Sequence, residues 1–203
     1  MSLRLALRRL AATPAFTAGA IAVLALGSGA TLAVFTVLNA LVFKTLPVSE
    51  PDRLVAIEVQ TARGEPAALP IPLFDALVVR QQSLDRVAGL LGGSVVSADA
   101  DGVIHQAVVD GVTADYFPLL GVSMVSGRPL GSIDYRSDGA DADSVCVVSE
   151  GYARRVFGPT SHALGRPLTL GEATVTIVGI MSDGFPGVQI GLRTDVVVPV
   201  PVT

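Results

Sequence analysis

From Phe16 to Phe43 the chain runs for 28 residues without a charged side chain. A helix rises 1.5 Å per residue, so about 20 residues cross a hydrocarbon core of about 30 Å, and this segment spans a membrane with length to spare. Before it, Leu3, Leu7 and Leu10 share one helical face while Arg4, Arg8 and Arg9 occupy another, the pattern of a short helix lying in the interface. Thr13-Pro14 separates the two helices, with Thr13 as N-cap and Pro14 at the first helical position, where its missing N–H costs nothing. Ala25 and Gly29, four apart, offer a small-residue face for a second helix or simply tolerate lipid; their spacing does not choose.

After about residue 44 the pattern breaks into short segments punctuated by glycine and proline, which predicts a mixed α/β domain. Arg53–Val59 reads as a strand. Ile71–Gln82 reads as a helix, with Pro72 near its start and Leu73, Leu77 and Arg80 at helical spacing. Val87–Ala98 and Val103–Val112 read as strands joined by Asp101-Gly102, a dipeptide that tolerates the positive φ of a tight hairpin. Thr113–Gly121 reads as a short helix, with Thr113 as cap, Asp115 at its positive end, Tyr116 and Phe117 as core anchors and Gly121 closing it. Ser149–Phe157 repeats the device with Ser149 as cap and Gly158 as stop. Thr174–Ile180 and Val196–Val198 read as strands, and Arg136–Ser144 as a polar loop. No repeat of 20–50 residues and no low-complexity tract appears, so a solenoid or a disordered tail is not expected.

Charge gives the span a direction. The first 50 residues carry Arg4, Arg8, Arg9 and Lys44 against Glu50, a net of +3, which leaves ten basic and seventeen acidic residues, a net of −7, for the rest of the 203-residue chain. Three arginines before the span against Lys44 after it put the N-terminus in the cytoplasm and the body outside. A cleaved signal peptide also begins basic and turns apolar, but its apolar region is only about 7–15 residues long, so the segment reads as an uncleaved anchor. An acidic body excludes nucleic acid as a partner, because phosphate binding needs clustered Lys and Arg. The hydrophobic half of the composition and the mean hydropathy of +0.60 reflect mainly the N-terminal fifth. Cys146 is the single cysteine and forms no intramolecular disulfide; a buried, inert thiol is expected.

The residues assemble no catalytic, cofactor or metal constellation. Lys44 is the only lysine, and it follows no glycine loop, so the phosphate-cradling motif of P-loop NTPases is missing and ATP hydrolysis has to come from another chain. No G-x-S-x-G elbow occurs, and Gly29, Gly92 and Gly93 belong to no such pattern. His105 and His162 lie 57 positions apart with one distant cysteine, which composes no zinc spacing; His105 is expected on the polar face of a strand and His162 in a turn. Asp134, Asp138, Asp141 and Asp143 are the candidate cation ligands, since calcium takes several carboxylate oxygens from one loop, but they lack the D-x-D-x-D-G order and a closing Glu. A solvated loop is the expectation there.

The N-terminal Leu3-Arg4-Leu5-Ala6-Leu7-Arg8-Arg9-Leu10, Thr13-Pro14-Ala15-Phe16-Thr17 and Ala25-Leu26-Gly27-Ser28-Gly29-Ala30-Thr31-Leu32-Ala33-Val34-Phe35 resemble the first span of MacB/FtsX-type ABC transporter permeases, most of all the orphan duplicated permeases of acidobacterial type. Leu46-Pro47, Pro51-Asp52-Arg53-Leu54-Val55, Val112–Phe117, Leu120-Gly121-Val122, Gly127-Arg128-Pro129, Arg155-Val156-Phe157-Gly158, Gly165-Arg166, Val178-Gly179-Ile180, Phe185-Pro186-Gly187 and Asp195–Pro199 follow in the order of that family's MacB-like periplasmic core domain. The resemblance implies an α+β chain: a cytoplasmic amphipathic helix over 1–13, a transmembrane helix over 14–44, and a mixed α/β periplasmic core domain of two lobes over 45–203, C-terminally incomplete. It implies a permease of the bacterial inner membrane whose external domain couples to a cytoplasmic ATPase for export or mechanical transmission. Family permeases continue past the Asp195–Pro199 region and add three spans, so the expectation is a fragment, or a chain that works with a full-length permease.

Two functions from different classes fit the span and the acidic body: a non-enzymatic permease component partnered by membrane lipid, an ABC ATPase and a full-length permease or helix-mediated oligomer, and a membrane-tethered extracytoplasmic binding or sensing module. An enzyme is disfavoured, with no nucleophile, base or metal set in view.

Overall fold

The computed structural model describes residues 12, 14–42, 48–61, 63–135, 144–189 and 191–200. The chain divides into two units, Met1–Thr45 and Leu46–Thr203. The expected interfacial helix, the Thr13 cap, Lys44, Leu46-Pro47 and positions 136–143 of the polar loop lie outside the described residues.

In the first unit, α1 runs from Pro14 to Val42, 29 residues with no acidic side chain in its first turn and no basic one in its last. Pro14 opens it, as its missing N–H allows. Over Pro14–Thr36 it is long and apolar enough to cross a membrane, and none of that stretch is buried against protein. Its hydroxyls are satisfied within the helix: Ser28, Thr31 and Thr36 donate to the carbonyls of Leu24, Gly27 and Leu32 at 2.7, 2.9 and 2.8 Å, the arrangement a lipid-exposed helix requires of its polar groups. Leu26→Arg is expected to cost about 2.5–3.5 kcal/mol of insertion free energy; carbonate extraction of membranes should then release the variant, and full retention would contradict the span.

The second unit contains β1 (Val59–Gln60), β2 (Pro66–Ala67), α2 (Ile71–Arg80), β3 (Leu90–Ala100), β4 (Val103–Val112), α3 (Tyr116–Leu120), β5 (Met124–Gly127), β6 (Val145–Ser149), α4 (Glu150–Phe157), β7 (Pro167–Leu170), β8 (Ala173–Met181) and β9 (Val196–Pro199). β1 and β2 form a two-stranded ribbon. The other strands form one mixed sheet in the order β5-β8-β6-β9-β4-β3-β7, and β7 pairs again with β8. The sheet therefore curls into a ring of six strands with β5 added outside it. β6 runs parallel to β8 and β9 parallel to β4; the remaining pairs are antiparallel.

Two clusters fill the two faces of this curled sheet. Successive residues of β6 divide between them: Cys146 and Val148 join Tyr152 and Ala153 of α4, Leu168 and Ile177, whereas Val145 and Val147 join Tyr116, Phe117 and Leu120 of α3, Leu130 and Phe185. This is the period-two alternation of a strand with both faces covered. The first cluster draws residues from all six ring strands around α4; the second is closed by α3 on the other face. The mixed α/β body expected from the sequence is thus what the chain forms.

The β3–β4 hairpin turns at Asp101-Gly102, both with positive φ, 55° and 82°, as a two-residue primed turn demands. Ser149 caps α4, its Oγ accepting the Tyr152 N–H, and Gly121 ends α3 in the left-handed conformation, φ 63°. Elsewhere the chain departs from its local pattern. In 53–59 only Val59 enters a strand; the rest follows a 3₁₀ turn, Pro51–Arg53, as an extended stretch with Val55 and Ile57 exposed. The residues there are strand-like, but a strand forms only where a partner reaches it, and β2 reaches only Val59 and Gln60. Thr113 does not cap α3: Asp115 holds the N-cap position, and the Thr113 Oγ1 accepts the Gly89 N–H instead, 2.8 Å away. β5, β6 and β7, with no strand expected at them, complete the sheet.

Candidate functional site

Of the residues singled out by chemistry, Asp134, His105 and Cys146 are engaged in the fold. Asp134 is held by Arg128, with Nη1 and Nη2 donating to its two oxygens at 2.6 and 2.8 Å, and by the Gly131 N–H at 2.8 Å. The Arg128 hydrogen bonds, seconded by the Gly131 N–H against the opposing effect of burial, hold its carboxyl below the usual range. Its oxygens are thus committed to the protein; Asp138, Asp141 and Asp143 lie outside the described residues. Among the described residues no three of His, Cys, Asp and Glu gather as a metal set. His162 ends a 3₁₀ turn, Thr160–His162, and is exposed.

His105 lies on β4 and touches α4. A carbonyl only accepts, so the 3.1 Å contact of Nδ1 with Val103 O assigns the ring hydrogen to Nδ1; Nε2 then accepts from the Tyr152 hydroxyl at 2.7 Å. Tyr152 is fully buried, and burial, then the nearby Asp195, push its pKa up. Arg155 lies over the Tyr152 ring, 5.5 Å from its centroid, within cation–π range.

Cys146 is free and fully buried, and burial alone pushes its thiol up to about 12. The thiolate is the reactive form, so a maleimide is expected to leave Cys146 unlabelled in the native chain and to label it in denaturant; labelling at the rate of an exposed thiol would place it elsewhere.

A buried polar cluster that no motif marks lies at Asp110. Asp110 sits on β4, 2% exposed, and a carboxylate so placed needs its lone pairs filled. The Gly93 N–H donates to Oδ1 at 2.8 Å and the Thr194 hydroxyl to Oδ2 at 2.5 Å. Gly93, φ 78°, belongs to the irregularity at which the β3–β4 register shifts between Leu91 and Ser94. The Gln189 carboxamide closes over this bulge, so a Cβ at Gly92 would lie 2.6 Å from Nε2 and 2.8 Å from Asp110 Oδ1.

Thr194 and Gln189 belong to the β8–β9 connection, Ser182–Asp195, which is tied down along its length. At one end Asp183 accepts the Gly151 N–H of α4 at 2.7 Å and Arg154 Nη2 at 2.6 Å, while Arg193 Nη2 donates to its carbonyl at 3.0 Å. In the middle Phe185 is buried in the outer cluster, and the Thr194 N–H donates to Pro186 O at 3.0 Å. At the other end Asp195 accepts Arg155 Nη2 at 2.8 Å and the Val108 N–H at 3.1 Å, and its own N–H donates to Val108 O at 2.9 Å. The connection is a strap across β3, β4 and α4. The sequence pattern marks Asp195 only as part of a family motif and does not mark Asp110, Asp183 or Thr194. One signal was available: Asp110 breaks an apolar run, Val108-Val109-Asp110-Gly111-Val112, and so either faces water or is fully bonded.

The body is thus a closed mixed α/β sheet with α4 inside it, and the same chain carries a helix long and apolar enough to cross a membrane. The chain belongs to the family of the MacB-like periplasmic core domain, whose model matches residues 17–203, and so to a family of ABC transporter permease domains. Among solved structures it is similar to the periplasmic region of MacB from Actinobacillus actinomycetemcomitans, at 17% identity and a TM-score of 0.49 over 76% of this chain and 62% of that one. It is also similar to the extracellular domain of the noncanonic ABC-type transporter YknZ from Gram-positive bacteria, at 21% identity and a TM-score of 0.42 over 58% of this chain and 57% of that one. The chain thus spans less than two thirds of each of these domains. No curated protein matches it.

Proposed function

We propose that the chain is a non-enzymatic permease component of an ABC-type export or mechanotransmission system. The observation that carries this reading is that one chain joins a helix long and apolar enough to cross a membrane to a body of the MacB-like family. Arg4, Arg8 and Arg9 favour a cytoplasmic N-terminus by the positive-inside rule, which places 1–13 at the inner face of the bacterial inner membrane, 14–44 across it and 45–203 in the periplasm. The chain carries no Walker lysine, so the hydrolysing subunit is a separate ABC ATPase, reached through a full-length permease partner. Cross-linking in native membranes followed by purification should recover that ATPase or permease. Recovery of neither, with a small ligand bound by the isolated protein, would favour a tethered sensing module. For orientation, a membrane-impermeant maleimide should modify Ser161→Cys, at an exposed position, in intact cells and Ser2→Cys only after permeabilisation; the reverse would overturn the topology.

A further inference from the structure

We propose that the strap Ser182–Asp195 is a coupling element that fastens the β3–β4 hairpin to the first turn of α4, with the Thr194 hydroxyl on Asp110 as its latch. Its two ends hold different parts of the body. Asp183 bonds the Gly151 N–H and Arg154 of α4; Thr194 bonds Asp110 of β4, which in turn holds Gly93 of β3. The ends are joined to each other by Arg193 to the Asp183 carbonyl and by Thr194 N–H to Pro186. Gly187 keeps the latch in reach: its φ is 102°, and a Cβ there would collide with the Thr194 hydroxyl. Asp110 is too buried to be left half-bonded, so loss of the Thr194 bond loosens the strap at this end, while Asp195, bonded to Val108 and Arg155, and the His105–Tyr152 bond remain as the other links between β4 and α4.

Coupling of this sort is reciprocal, which supplies the test. Amide hydrogen exchange is followed on the full chain in lipid nanodiscs for wild type, Thr194→Val and Asp183→Asn. In Thr194→Val the Gly93 amide, and with it the distant Gly151 amide, should exchange about tenfold to a hundredfold faster, the size expected from losing a hydrogen bond to a buried carboxylate. Asp183→Asn should speed Gly93 in the same way, the double variant should add little to either single one, and Thr194→Ser, which keeps the hydroxyl, should stay near wild type. Gly165 and Ile177, whose bonds tie the β7 end of the ring to β8, are the reference. An unchanged Gly151 in Thr194→Val would show that the two ends act independently, and equal acceleration of Gly165 and Ile177 would show only general loosening; either overturns the proposal. Should Thr194→Val fail to fold, Asp183→Asn carries the test from the opposite end with Gly93 as reporter. None of these readouts involves an ATPase, so their failure and that of the permease reading are separate results.

Discussion

Gly179→Ala is expected to destabilise the body by about 3 kcal/mol, the upper range for forcing volume into a packed site. Gly179 lies on β8 opposite Gly127 of β5. A Cβ added to it would collide with the Arg128 carbonyl oxygen and stand 3.2 Å from Val147 Cγ2. Neither neighbour can give way: Arg128 is fixed by its N–H on Val178 O at 3.0 Å, and Val147 is fully buried. Relief requires β5 to leave the sheet. Gly131→Ala is the matched control, because a Cβ there meets nothing within 4 Å, and it should stay within about 0.5 kcal/mol of wild type. Thermal unfolding of the two variants in detergent measures the difference; equal midpoints would mean that β5 and β8 are not in this register.

Tyr152→Ala is expected to cost about 3–5 kcal/mol, the range for truncating a large buried ring. The ring belongs to the cluster to which every strand of the closed circuit contributes, so the cavity would open where no single element can collapse to fill it. Tyr152→Phe keeps the ring and removes only the hydroxyl that His105 accepts, a loss of about 1 kcal/mol. Urea titration of both variants separates the contributions. A Phe variant as unstable as the Ala variant would mean that the His105 hydrogen bond, not packing, holds α4 in the ring.

These two sites also mark the limits of reading the fold from sequence. The hairpin was legible because Asp101-Gly102 and the strands beside it satisfy local rules, and α4 because Ser149 and Gly158 bound it. β6 was not, since Val145-Cys146-Val147-Val148-Ser149 is buried on both faces and shows no alternation. Positions 54–58 differ the other way: the short apolar run is strand-like, but whether it pairs depends on chain far from it. Thr113 looked like a cap because its true partner, Gly89, lies 24 positions away. The latch was less legible still, with Asp110 and Thr194 84 positions apart.

The family pattern remained readable because several of its short motifs fall where geometry leaves few choices. Gly127-Arg128-Pro129 holds a glycine with φ 73° whose Cβ would collide with Val178 O, and the arginine that clamps Asp134. Arg155 and Asp195, which stand in two different motifs, meet as an ion pair at 2.8 Å. No ligand-binding motif was legible, and of the polar groups singled out His105 ties β4 to α4 and Asp134 holds Arg128.

The closing of the sheet sets where the body yields. Pairing of β7 with β8 closes the circuit that an open sheet would leave as a raw edge; among the described residues, unpaired flank remains along β5, four residues long, and along the part of β3 that β7 does not reach. The circuit, however, is stitched unevenly. β3 and β4 share nine residue pairs, whereas β3 meets β7 through two, Ala98 with Leu170 and Asp99 with Thr169. The ring has a second two-rung seam, β6–β9, but the β3–β7 seam lies beside the hairpin tip, where Arg166 pairs with Asp101, so a tensile load on the tip reaches that seam first and opens the body as a zip does, from one short end.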